Sequence, residues 1–155
     1  MKIEEQIISL LIQKQQTLTT AESCTGGLLA SRLTGVSGAS KVFKLGLITY
    51  SNEAKTQLAG VKKNLLKTKG AVSEDVAIAL AQGTRKQYGT DFAIGITGIA
   101  GPTGGTRKKP VGLVYIAVAT STETLCLKCQ FKGTRSQVRN SAASQALKLL
   151  LEFLE

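Results

Sequence analysis

Histidine and tryptophan are absent from this 155-residue chain. Without histidine there is no Ser-His-Asp or Cys-His nucleophile pair, no histidine-based zinc or haem site, and no imidazole proton shuttle near neutral pH. Acid–base chemistry must therefore run through Lys, Tyr, Asp or Glu. Aromatic residues make up only 5% of the chain and do not interleave with basic ones, which argues against a stacking platform for single-stranded nucleic acid. Cysteine is scarce too: Cys24, Cys126 and Cys129 are the only three. The pair at 126 and 129 lacks a second pair to complete a four-ligand metal site. The alternation in Leu125-Cys126-Leu127-Lys128-Cys129 reads as a strand that sends the two thiols to opposite faces, against a redox dithiol. No apolar run approaches membrane-spanning length, and Met1-Lys2-Ile3-Glu4-Glu5 does not begin a signal peptide. A reduced, cytoplasmic protein is the expectation.

What is present is enough for a core: 43% of residues are hydrophobic. The length fits a single domain over residues 1–155. The net charge of +10 is unevenly placed. Residues 1–40 are balanced, whereas residues 41–139 hold 16 positive side chains against 5 negative ones. The excess comes as scattered pairs such as Lys62-Lys63, Arg85-Lys86 and Lys108-Lys109, the pattern of a solvated basic surface more than a DNA track. Such a field also draws in a small phosphorylated ligand.

Hydrophobic spacing predicts helices over 3–14, from 25 to 33, over 53–59 with Ser51 or Asn52 as cap, over 76–88 behind Ser73-Glu74-Asp75, and over 137–154. Strands are expected over 17–21, 42–50, 92–96, 111–120 and 124–131, the last two forming a hairpin around Ser121-Thr122-Glu123. Helices and strands alternate, and the hairpin comes late. The expected fold class is α/β: a three-layer α/β/α sandwich with a mixed β-sheet.

Three loops can carry chemistry. In Ala21-Glu22-Ser23-Cys24-Thr25-Gly26-Gly27, at a strand-to-helix junction, free amides at the helix start offer an anion site and the glycines allow close approach. Ser23 is a candidate nucleophile there; equally, Ser23 or Thr25 caps the helix. Cys24 competes as nucleophile, but no histidine activates it and burial suits it. In Tyr50-Ser51-Asn52-Glu53-Ala54-Lys55, a lysine in the first helical turn faces the positive end of the helix dipole, which disfavours its charged form and makes Lys55 a candidate base, with Tyr50 able to relay a proton. The bland alternative is a solvated lysine and a half-buried tyrosine. The third loop, Thr97-Gly98-Ile99-Ala100-Gly101-Pro102-Thr103-Gly104-Gly105, follows a strand but is no Walker motif. Arg135 and Arg139 at the last helix either clamp a phosphate or face solvent.

Taken together these segments resemble the nicotinamide-nucleotide amidohydrolases, the CinA C-terminal domain or PncC-type family. The matching stretches, co-linear and at family spacing over nearly the whole chain, are Thr20-Ala21-Glu22-Ser23-Cys24-Thr25-Gly26-Gly27, Thr49-Tyr50-Ser51-Asn52-Glu53-Ala54-Lys55, Gly70-Ala71-Val72-Ser73-Glu74, Thr97-Gly98-Ile99-Ala100-Gly101-Pro102 and Lys109-Pro110-Val111-Gly112. The resemblance implies hydrolysis of the carboxamide of nicotinamide mononucleotide to nicotinic acid mononucleotide and ammonia, without metal or cofactor, in a homo-oligomer. It places the nucleophile on Ser23, the base on Lys55 and its helper on Tyr50. It places substrate contacts on Cys24, Thr25, Gly26, Gly27, Thr97, Gly98, Ala100, Gly101 and Arg139. The chain departs from the family pattern at Thr103, Lys108 and Thr134, where acidic residues are usual. Two readings rank below hydrolysis: a catalytically silent nucleotide-binding module on the same loops, then a basic nucleic-acid-binding protein.

Overall fold

The strand Phe92–Gly98 (β3) is buried from residue 92 to 97 on both faces, so helices must cover it from each side. They do. The computed structural model describes residues 1–155 as a five-stranded sheet in the order β2-β1-β3-β4-β5. The other strands are β1 (Leu18–Glu22), β2 (Phe43–Ile48), β4 (Leu113–Ala119) and β5 (Thr124–Gln130). β1 pairs in parallel with β2 and β3, while β4 runs antiparallel to both β3 and β5. The sheet is mixed, as expected.

One face is covered by α1 (Ile3–Lys14), α2 (Leu28–Thr34) and α6 (Arg135–Leu154), which meet Leu18, Ile94, Ile96, Val114, Ile116 and Val118 in the main core. The other face carries α3 (Asn52–Ala59), α4 (Lys63–Lys69) and α5 (Glu74–Tyr88) over a smaller core built on Ala21, Leu47, Val76 and Leu80. α5 comes close to the sheet through small residues, with Ala77 and Ala81 against Ala117 and Ala119. The period of two along β5 puts Cys126 in that alanine layer and Cys129 on the main core, so the thiols do lie on opposite faces. No helix is long and apolar enough to cross a membrane.

Three differences from the expected elements have clear local causes. α4 is not among those elements because Lys63-Asn64-Leu65-Leu66-Lys67-Thr68-Lys69 has only two apolar residues, of which Leu66 alone is buried. α2 begins at Leu28, after Gly26 and Gly27, whose φ of 59° and 96° no helix tolerates. α6 begins two residues before the expected Gln137. Thr134 Oγ1 accepts from the Gln137 amide (3.2 Å), and the Gln137 side chain accepts from the Thr134 amide (2.8 Å), a reciprocal capping box. Thr134, a favoured capping residue, thus fixes the helix start.

Candidate active site

All three parallel strands end at one edge of the sheet. β1 lies between β2 and β3, so the chain departs from β1 to one side and later reaches the other, a switch point that opens a crevice beyond the β1 carboxyl end. Residues 23–27 follow β1, residues 49–51 follow β2, residues 99–112 join β3 to β4, and residues 131–134 lead into α6. Every sequence-predicted site residue falls on β3, on α3, on α6 or in these connections.

Glu22, the last residue of β1, sends its buried carboxylate towards α2, where it accepts from the amides of Leu29 (2.9 Å) and Ala30 (3.0 Å). This corrects one expectation. The amides inside the α2 start are not free to bind an anion, because Glu22 occupies them. The amides of Cys24, Thr25 and Gly27 meet no acceptor within the chain, and that of Cys24 is the one on the cleft beside Ser23. Ser23 itself is held by its amide on the Ile96 carbonyl (3.0 Å).

Ser51 caps α3 by accepting from the Ala54 amide (3.0 Å), which starts the helix so that Lys55 turns inward. Its side chain is only 2% exposed. Lys55 Nζ donates to Ser23 Oγ (3.1 Å) and to the Thr49 carbonyl (2.7 Å). No carboxylate pairs with it; the chain's one ion pair joins Arg32 to Glu4 at a distance from the site. Burial without a counter-ion disfavours the ammonium form and lowers the Lys55 pKa from the ordinary 10.5. A lysine acts as base only when unprotonated. Turnover that depends on Lys55 should therefore rise with pH and level off at a midpoint below 10.5, as a pH–rate profile would read. Burial pushes the neighbouring Cys24 thiol up to about 11, so near neutral pH it stays protonated and is a poor nucleophile.

The Ser23–Lys55 pair lies on a cleft of about 290 Å³. Tyr50, Cys24, Thr97, Gly98, Ala100 and Gly101 line it as well, but Thr25, Gly26, Gly27 and Arg139 do not. The Arg139 guanidinium lies behind the nucleophile loop, donating to the carbonyls of Cys24 (3.2 Å) and Thr25 (2.9 Å). Arg135, one helical turn earlier, takes the cleft position: it donates to the Gly101 carbonyl (2.9 Å) and to the Tyr50 hydroxyl (3.0 Å). Tyr50 is thus tied to Arg135 at the cleft rim, while Lys55 reaches Ser23 directly. Asn52, Ala71, Val72, Ile99, Thr103 and Gly104 also line the cleft; they lie in the loops and motifs quoted above, though none is among the expected site residues. The signal for Arg135 was available in Thr134-Arg135-Ser136-Gln137, whose capping-box spacing makes Arg135 the first helical residue. The glycine-rich connection is anchored by Thr97 Oγ1 on the Ala71 carbonyl (2.7 Å) and by Lys109 Nζ on the Lys69 carbonyl (2.8 Å).

This is an α/β protein with a Ser–Lys pair at the carboxyl edge of its parallel strands. The sequence pattern of the CinA C-terminal domain family matches residues 1–154, and the chain belongs to that family. A CinA-like protein of Kosmotoga olearia is 53% identical over 145 residues, 94% of this chain and 35% of the relative. A CinA-like protein of Acidobacterium capsulatum is 49% identical over 148 residues, 96% of this chain and 36% of the relative. The chain thus spans about a third of the length of these curated relatives. The competence/damage inducible protein CihA of Agrobacterium tumefaciens superposes with a TM-score of 0.92 at 35% identity, covering 100% of this chain and 98% of that one. A CinA superfamily protein of Klebsiella pneumoniae superposes with a TM-score of 0.94 at 34% identity, covering 98% of this chain and 95% of that one.

Proposed function

We propose that the chain hydrolyses the carboxamide of nicotinamide mononucleotide, releasing ammonia and nicotinic acid mononucleotide. The observation that carries this reading is the buried, unpaired Lys55 amine hydrogen-bonded to Ser23 Oγ at 3.1 Å on an open cleft. Neutral Lys55 takes the hydroxyl proton as Ser23 Oγ attacks the carboxamide carbon. The Cys24 amide, free of any acceptor and on the cleft, supplies a donor for the oxyanion. The lysine ammonium then returns its proton to the departing nitrogen, and water hydrolyses the acyl-serine with Lys55 again as base. The pyridinium charge of this substrate activates the carbonyl, which suits a modest base. Arg135 at the rim offers a planar fork for the substrate phosphate.

The deciding experiment is ammonia release from nicotinamide mononucleotide beside free nicotinamide. Release from the nucleotide and little from the free base supports the proposal; tight binding with no ammonia would instead make the chain a silent nucleotide-binding module. Arg135→Ala should raise KM for the nucleotide by about 10–100-fold, the worth of a lost charge-assisted phosphate contact, with a smaller change in kcat. Initial-rate kinetics read that split.

A further inference from the structure

Glu22 is 1% exposed, and its carboxylate has no cationic partner. Burying a carboxylate without a counter-ion is costly unless hydrogen bonds compensate it. Its two acceptors are spent on the amides of Leu29 and Ala30, in a helix that begins six positions further along the chain. A local cap would sit at the residue just before the helix, which here is Gly27 and has no side chain. The tie is therefore a long-range one across residues 23–27, the loop that carries Ser23. The backbone of Glu22 reaches the other partner. Its carbonyl accepts from the Thr49 amide (2.7 Å) and hydroxyl (3.3 Å), and the Thr49 carbonyl in turn accepts from Lys55 Nζ (2.7 Å). Nucleophile and base are thus both referred to one residue: Ser23 through a peptide bond, and Lys55 through Thr49.

We propose that Glu22 is the positioning residue of the Ser23–Lys55 pair, its carboxylate locking the β1 end against α2 so that hydroxyl and amine stay within hydrogen-bond reach. This rests on the reading of Ser23 as nucleophile and Lys55 as base. Glu22 does not touch the reacting atoms. In Glu22→Gln, the side-chain carbonyl still accepts one amide, but the NH2 group opposes the other, donor against donor. The loop then loosens while the cleft lining outside it, from Tyr50 to Arg135, is untouched.

The test measures kcat and KM for nicotinamide mononucleotide, together with the rate at which phenylmethanesulfonyl fluoride labels Ser23, well below the melting temperature. Glu22→Gln should lower kcat and the labelling rate together by about 10–100-fold, the scale of a misplaced reacting group. KM should move by less than about threefold. Glu123→Gln, which removes a carboxylate from the turn at the far edge of the sheet, should change neither. If Glu22→Gln is recovered unfolded, Glu22→Asp carries the test, since it keeps the charge but is too short to reach both amides. An unchanged kcat and labelling rate, or a loss confined to melting temperature or KM, would overturn the assignment. The labelling arm needs no nucleotide. If Lys55→Met suppresses labelling but the wild type releases no ammonia, the substrate reading fails while Glu22 is still judged by its effect on labelling.

Discussion

Lys55→Met should lower kcat for ammonia release by about 10²–10⁴-fold, the usual contribution of a positioned general base. Ser23→Ala should fall to the uncatalysed background. The choice of methionine matters. Lys55 is 2% exposed, so an alanine would leave a void, whereas the unbranched methionine chain fills the same channel. The fold should survive, and the rate loss then reads chemistry. The amine's two hydrogen bonds, to Ser23 Oγ and to the Thr49 carbonyl, are lost together. Only the first is a proton route; the second aims the nitrogen lone pair. No nearby carboxylate or histidine can take over, because the chain has no histidine and no acidic group pairs with this amine. Single-turnover ammonia assays on the folded variant check the result, and a rate within tenfold of wild type would remove Lys55 from the mechanism.

Gly95→Ala should destabilise the fold by about 3 kcal/mol, the upper range for forcing an atom into a packed core. Gly95 lies at the middle of β3 where α5 crosses. A Cβ there would stand 2.5 Å from the Ala77 carbonyl oxygen and 2.7 Å from the Ala81 amide. Both are helix backbone, which cannot rotate away as a side chain can. α5 would have to lift off the sheet, opening the alanine layer of Ala77, Ala81, Ala117 and Ala119. In a chain of 155 residues this corresponds to a melting temperature lower by about 6–12 °C, as calorimetry would read. Gly89→Ala is the informative contrast. Its φ of 65° is left-handed, but no atom lies within 4 Å of the added Cβ, so only about 1 kcal/mol of backbone strain remains.

Much of this was legible in the chain, for particular reasons. β3 and α5 announce themselves, one as an unbroken buried run and the other through acidic residues at its start, Arg85-Lys86 at its end and Gly89 beyond. The mixed sheet followed from late placement of the hairpin. The Ser23–Lys55 approach did not follow from periodicity; the family resemblance brought the two residues together, and the geometry puts them in direct contact. α4 escaped because a seven-residue helix with one buried side chain has almost no periodic signal. Which of Arg135 and Arg139 lies on the cleft turned on one boundary. With α6 read as starting at Gln137, both arginines flank its start and neither is favoured; with Thr134 as cap, Arg135 becomes its first residue and faces the sheet edge. The long reach of Glu22 to α2 is a tertiary contact that no local pattern encodes.

The cations around the cleft share a habit of anchorage: Lys55 rests on the Thr49 carbonyl, Lys109 on that of Lys69, Arg135 on that of Gly101, and Arg139 on those of Cys24 and Thr25. A carbonyl oxygen fixes a cation's position without cancelling its charge and does not titrate in the range where proteins live. Acidifying the solution therefore releases none of these anchors, unlike side chains held by carboxylates. What acid removes is the lone pair on Lys55. As Lys55 takes up its proton the site should fall silent, with these carbonyl anchors of its basic side chains still in place.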